Sequence, residues 1–175
     1  MLMKLILKYG DKAIYSICGF IVISLAAILI TIFVNTGEKT PVTCEELNTK
    51  LIVMGYEPID STYYYQEQNS HLKGSIAIDT GNLRFDFFEF DNDDSAYTLF
   101  YNNHDLIYEN ISDGFREWDA HYNNYAMYSM SSNGVYYISI WVGNTVVYAY
   151  CNNEYRDEID NILVSLDYGS STKNK

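Results

Sequence analysis

YAMYSMS (125–131), VYYISIWV (135–142) and TVVYAYC (145–151) are three runs of β-branched and aromatic residues, separated by Asn133-Gly134 and Gly143-Asn144. Such residues pack well on a pleated surface, and runs of this length bounded by turn residues read as strands. The separators are what tight hairpins need. Asn-Gly suits a type I′ turn, whose two central residues both take positive φ, and a leading Gly suits type II′. The stretch therefore predicts a three-stranded antiparallel meander over Tyr125–Ser131, Val135–Val142 and Thr145–Cys151.

Working outward, Glu154 opens a helix on which Ile159, Ile162, Leu163 and Leu166 recur at i, i+3, i+4 and i+7, with Gly169 placed to stop it. Upstream, Ser75–Asp79 and Leu83–Phe90 read as a hairpin joined at Thr80-Gly81-Asn82. Within its second strand the apolar phase slips from Phe85 and Phe87 to Phe88 and Phe90. That slip means either a bulge or burial on both faces. Thr43-Cys44-Glu45-Glu46 is a capping-box pattern ahead of Leu47, Leu51 and Met54, and Gly55 follows at the helix end. Tyr63-Tyr64-Tyr65 points to a further strand. Asp91-Asn92-Asp93-Asp94 fails as an EF-hand loop, because the sixth and twelfth positions are Ala96 and Asn102 instead of Gly and Glu. It reads instead as the capped start of a helix reaching about Tyr108, with Tyr97, Phe100, Tyr101, His104 and Tyr108 along one face that is expected to be core. The element order predicts an α+β domain, with about three helices packed on one face of an antiparallel sheet. A loose repeat of element order between the two halves is not matched by residues.

From Ala13 to Val34 the chain reads AIYSICGFIVISLAAILITIFV, without a charge. At about 1.5 Å per residue this crosses a hydrocarbon core of roughly 30 Å, so residues 13–34 are expected to form one transmembrane helix. The run is longer than the apolar region of a cleavable signal peptide and ends without a small-x-small site, so an uncleaved signal-anchor is expected. Cys18 lies too early in the run to be a lipobox cysteine. Lys4, Lys8 and Lys12 precede the span and only Lys39 follows closely, which puts the N-terminus in the cytoplasm and the rest outside the cell membrane. The organisation expected is a basic stub (1–12), the span (13–34), a tether (35–42), an extracytoplasmic domain (43–169) and a disordered tail (170–175).

The chain carries a net charge of −12 at pH 7, and with three lysines in the stub the domain beyond is more acidic still. Such a surface repels nucleic acid and anionic lipid and attracts cations or basic protein segments; acidity that only keeps the domain soluble is the alternative. Cys44 and Cys151 stand outside the span and could pair in an oxidising exterior, a closure worth about 4 to 5 kcal/mol in the chain-entropy model; two small buried thiols that never meet is the other reading. His71, His104 and His121 have no metal-helix spacing, Asp119 and His121 are close only in sequence, and no G-x-S-x-G elbow is found. No catalytic, cofactor or metal residue is therefore assigned. The Tyr-rich segments, with Tyr63, Tyr64, Tyr65, Tyr122, Tyr125 and Tyr128, are read as a binding surface, since tyrosine offers large contact area at low entropic cost.

Thr43-Cys44-Glu45-Glu46-Leu47 ending in Gly55-Tyr56, Phe90-Asp91 followed by Asp94-Ser95-Ala96, Gly134-Val135-Tyr136-Tyr137, and Gly143-Asn144-Thr145-Val146-Val147-Tyr148 before an amphipathic helix form a pattern across most of 43–169. It resembles small membrane-anchored or lipid-anchored exported proteins of low-GC Gram-positive bacteria. The resemblance implies location and fold, with no activity and no functional residue carried over. The cysteines Cys44 and Cys151 are not features that the resemblance implies. The function expected is a membrane-tethered extracytoplasmic binding domain, with an immunity-like role against a cationic peptide or toxin as a special case. The competing readings are an envelope hydrolase or metal-dependent enzyme using His104 and His121, and a structural scaffold in a membrane complex.

Overall fold

The computed structural model describes residues 38–110 and 115–169, with side chains described over 38–108 and 121–169. The chain divides into two units, Met1–Gly37 and Glu38–Lys175. The expected stub, transmembrane helix, first tether residues and tail lie outside the described residues, among which no helix is long and apolar enough to cross a membrane.

The domain is α+β: α1 (Cys44–Val53), β1 (Ile59–Asp60), α2 (Thr62–Gln66), β2 (Leu72–Asp79), β3 (Leu83–Phe90), α3 (Asp93–Asn110), β4 (Phe115–Tyr122), β5 (Tyr125–Ser132), β6 (Val135–Val142), β7 (Thr145–Asn152), a 3₁₀ turn (Asn153–Tyr155) and α4 (Arg156–Ser165). The strands form one seven-stranded sheet in the order β1-β2-β3-β7-β6-β5-β4. Every neighbouring pair is antiparallel. Chain connectivity explains the order. Strands β4 to β7 pair with their sequence neighbours, and β7 then finds its second partner in β3. From β3 the chain must reach β4 at the far edge, four strand spacings or about 19 Å away. The 18 residues of α3 supply about 27 Å, so the helix crosses the sheet as a strap packed on β3, β7 and β6.

The turn chemistry holds. Asn133 (φ 50°) and Gly134 (φ 82°) both take positive φ between β5 and β6, while Gly143 (φ 51°) alone does so between β6 and β7. The capping box of α1 is present: Glu46 N–H donates to Thr43 Oγ1 (3.2 Å) and Thr43 N–H donates to Glu46 Oε2 (2.9 Å). Gly55 (φ 91°) closes α1, with Tyr56 N–H donating to Leu51 O and Gly55 N–H to Ile52 O, a Schellman pattern. Asn92 caps α3 by accepting from Ser95 N–H at 2.8 Å.

Four expectations are corrected. The meander has four strands, because Phe115–Tyr122 (FREWDAHY) pairs with β5; its charges hid it, and a strand at a sheet edge tolerates them. The helices cover both faces of the sheet. Leu47, Leu51, Ile159, Ile162 and Leu163 of α1 and α4 pack with Phe85 and Phe87 on one face, and Ala96, Phe100 and Ile107 of α3 pack with Phe88 and Phe90 on the other. The phase slip in β3 is thus burial on both faces, as one central strand between two helical layers requires. A bulge does occur, but in β2 opposite: Leu72 pairs with Phe90 and Gly74 with Glu89, so Lys73 is the extra residue and Leu72 joins the α3 face while Ile76 and Ile78 join the other. Tyr63-Tyr64-Tyr65 lies in the short helix α2, where Thr62 N–H donates to Asp60 Oδ1 at 2.9 Å. Finally, the left-handed residue ending α4 is Asp167 (φ 60°) instead of Gly169, with Tyr168 N–H returning to Leu163 O at 2.9 Å.

Residues 38–42 belong to the domain and are not free tether. Asn124 Nδ2 donates to Lys39 O at 2.7 Å, and Lys39 N–H donates to Asn124 Oδ1 at 3.2 Å. Pro41 lies against Gly143, where an added Cβ would stand 2.7 Å from Pro41 Cγ.

Glu89 is the buried charge that joins α1 to the sheet. It is 7% exposed, and its carboxylate accepts Lys73 Nζ at 2.5 Å and Cys44 N–H, at the first turn of α1, at 2.9 Å. Burial pushes this carboxyl upward, but the Lys73 ammonium and the Cys44 N–H outweigh burial and hold it below its ordinary value of 4.5. A depressed carboxyl contributes stability that is complete above the unfolded value and is lost as pH falls through the folded one. Glu89→Gln is therefore expected to destabilise the domain at pH 7, with the gap to the unaltered protein narrowing below about pH 4.5. Urea unfolding at pH 7 and pH 3 measures both; an equal gap at the two pH values would refute it.

Candidate functional site

The two cysteines sit on one face of the sheet at opposite ends. Cys44 contacts Glu89 at one end of β3, whereas Cys151 is paired in register with Leu83 at the other. About 20 Å of strand separates those positions, and a disulfide needs Cα atoms within about 7 Å. Both are free thiols. Burial, with Glu89 beside it, pushes the Cys44 thiol up to about 12, and burial pushes Cys151 up to about 11. Both shifts favour the protonated thiol at neutral pH, although Cys44 opens a helix. Cys44 has a packing role: a Cβ on Gly74 would fall 2.8 Å from its Sγ. Gly74→Ala is expected to cost about 1–3 kcal/mol, and Cys44→Ala in the same chain to recover most of it. Chemical denaturation of the two single variants and the double measures the coupling, and additivity would show that the contact is relieved elsewhere.

The six tyrosines expected to form a binding surface divide. Tyr125 (7% exposed) and Tyr128 (1% exposed) are core, on opposite faces of the sheet. Burial accordingly pushes the Tyr125 phenol up to about 12. Tyr63, Tyr64 and Tyr122 are exposed, and Tyr65 is half-buried with its ring 5.0 Å from Phe88. Register separates β1, beside α2, from β4 by the full width of the sheet, so Tyr63 and Tyr64 share no patch with Tyr122.

The histidines also divide. His71 Nδ1 lies 3.1 Å from Asp91 at the foot of α3. His104 on α3 stacks edge-on to Tyr128 at 4.3 Å and pairs with Asp105 Oδ1 at 3.0 Å. His121 on β4 meets the Tyr97 ring at 5.9 Å and Trp141 at 6.4 Å. His104, on α3, and His121, on β4, thus belong to one aromatic array, linked through Tyr101 and Tyr97. Among the described residues no three His, Cys, Asp or Glu side chains converge as a metal ion would require.

That array is what sequence reasoning misread. The aromatic face of α3 was expected to be buried, but the stripe turned to the sheet is Ala96, Phe100, Asn103 and Ile107. Tyr101 and Tyr108 remain 47% and 67% exposed. At 3.6 residues per turn, Asp94, Tyr97, Tyr101, Asp105 and Tyr108 fall within about 80° of one another, with Tyr97 at the edge of the arc nearest the core and the other four turned away from it. Asp94 and Asp105 are exposed. Tyr97 leans inward to Trp141 (ring centroids 4.7 Å) and meets Tyr101 edge-on at 4.9 Å. A hydrogen bond to Tyr101, with some burial, raises the Tyr97 phenol above its ordinary value. Beneath the helix, Trp141 Nε1 and Asn103 Nδ2 are buried donors without a hydrogen-bond partner among the described residues. The ridge was legible in principle, because the two aspartates share the helical period of the tyrosines.

No family model, curated protein or solved structure matches this chain. Any reading of function therefore rests on the physical chemistry of the domain itself.

Proposed function

We propose that this protein is a membrane-tethered extracytoplasmic binding domain whose ligand is a cationic peptide or protein segment, with neutralisation of a toxic peptide at the membrane as the special case. One observation carries the reading. Every basic side chain whose position is described is already engaged within the domain. Lys39 bonds Asp167 O, Lys50 bonds Ser165 O at 2.6 Å and Lys73 bonds Glu89 at 2.5 Å. Arg84 forks onto Asp86 at 2.6 and 2.8 Å, and Arg156 lies over Tyr136 at 4.4 Å and 3.7 Å from Asp160. Meanwhile Glu45, Glu57, Asp93, Asp94, Glu154 and Asp157 are all exposed. The surface field is thus uncompensated negative, which attracts cations and repels nucleic acid. The charge-free run from Ala13 to Val34 supports the tether.

The test is calorimetric titration of the full chain, in neutral detergent micelles, with cationic, neutral and acidic peptides of equal length. Saturable binding confined to the cationic set, weakening as salt rises from 50 to 500 mM, is the expected result. Equal binding of all three sets, or of none, would overturn the reading.

A further inference from the structure

We infer that the ridge of α3 formed by Asp94, Tyr101, Asp105 and Tyr108, with the half-buried Tyr97 at its inner edge, is the docking surface for that ligand, and that it takes an amphipathic cationic helix. The inference rests on the cationic-ligand reading and adds where and how the ligand binds. The helix is already anchored by Ala96, Phe100, Asn103 and Ile107, so the fold has no need of large aromatic rings on the opposite side. A surface helix whose only task is to cover a sheet places short or charged polar residues there. Here, Tyr101 and Tyr108 stay 47% and 67% exposed beside their ring contacts with Tyr97 and His104, Asp94 stands exposed near one end and Asp105, paired with His104, near the other, and no described Lys or Arg is free to cover them. Arginine and lysine are the side chains that satisfy both features at once: the cation lies over a tyrosine face within about 6 Å and reaches a carboxylate beside it.

Spacing selects the conformation of the ligand. Asp94 and Asp105 are eleven residues apart on one helix face, or about 16 Å, with Tyr97, Tyr101 and Tyr108 between and beyond them at helical intervals. A second helix lying along α3 repeats at the same intervals. Basic residues at i, i+3, i+7 and i+11 then meet Asp94, Tyr97, Tyr101 and Asp105 in turn, as in helix-on-helix recognition through a stripe of residues three and four apart.

The test uses the full chain in neutral detergent micelles and a capped sixteen-residue peptide with arginine at positions 2, 5, 9 and 13, compared with a scrambled peptide of identical composition. Binding is read by calorimetry. Three double variants, all at exposed or half-exposed positions and checked for unchanged circular dichroism, are compared: Tyr101→Ser with Tyr108→Ser, Asp94→Asn with Asp105→Asn, and the remote pair Glu154→Gln with Asp157→Asn on and beside α4. The patterned peptide is expected to bind more tightly than the scrambled one, each ridge pair to weaken it about tenfold and the remote pair less than twofold. Ridge variants that bind like the unaltered chain, or a remote pair that loses as much, would overturn the ridge and leave the cationic-ligand reading standing. Equal affinity for the two peptides would overturn the helical ligand. No binding of either by the unaltered chain would remove the underlying reading and the ridge with it.

Discussion

Phe87→Ala is expected to lower the unfolding free energy by about 3–5 kcal/mol, a large share of what a domain of this size has. Phe87 is 0% exposed at the centre of β3, paired in register with Ile76 of β2 on one side and Val147 of β7 on the other. Its ring belongs to the core under α1 and α4, so truncation leaves a cavity between both helices and the sheet. The central strand cannot collapse to fill it, because Phe88 and Phe90 hold its opposite side against α3. Urea unfolding followed by circular dichroism should show a lower midpoint with an unchanged slope. A loss below 1 kcal/mol would mean that the sheet does not have two simultaneous cores.

Tyr168→Ala is expected to cost a similar amount, and Tyr168→Phe about 1–3 kcal/mol through the hydroxyl alone. The ring is 0% exposed, and its hydroxyl lies 2.9 Å from Val42 N and 2.7 Å from Thr145 Oγ1. Proton counting sets the direction of the relay. Thr145 has one hydroxyl proton and gives it to Val142 O at 2.8 Å, so Tyr168 must donate to Thr145 and accept from the Val42 N–H. Burial in this position pushes the phenol up to about 12. One side chain therefore ties the incoming segment 38–42, the start of β7 and the end of α4. Amide exchange at Val42 should accelerate in Tyr168→Phe while that of the β3 core is unchanged; protection retained at Val42 would refute the relay.

Legibility differed sharply between elements. The β5–β6 and β6–β7 turns, the α1 capping box and the α4 stripe of Ile159, Ile162 and Leu163 could be read directly, because each is a contact between residues close in sequence. β4 could not, because its identity as a strand comes from its hydrogen-bonded neighbour β5 and its FREWDAHY residues alternate poorly. The tyrosines were misassigned for a related reason. Tyr125 and Tyr128 differ from Tyr122 not in type but in how close their strand lies to the cover of α4 or α3, which no local pattern encodes. In α3, an aromatic residue served equally well as core (Phe100) and as exposed ridge (Tyr108), and the helical period alone could not say which arc met the sheet.

By itself, then, the sequence determined the hairpin turns of β5 to β7, the capping box and closing glycine of α1, the acidic balance and the α+β class, since backbone sterics and short-range hydrogen bonds act within a few residues. Only the tertiary structure decided that β3 lies beside β7, that helices cover both faces, that Cys44 and Cys151 stand at opposite ends of the sheet, and that Tyr101 and Tyr108 of α3 look outward while Tyr97 leans in. Those outcomes depend on which apolar surfaces, distant along the chain, exclude water together, and burial of that kind has no local signature.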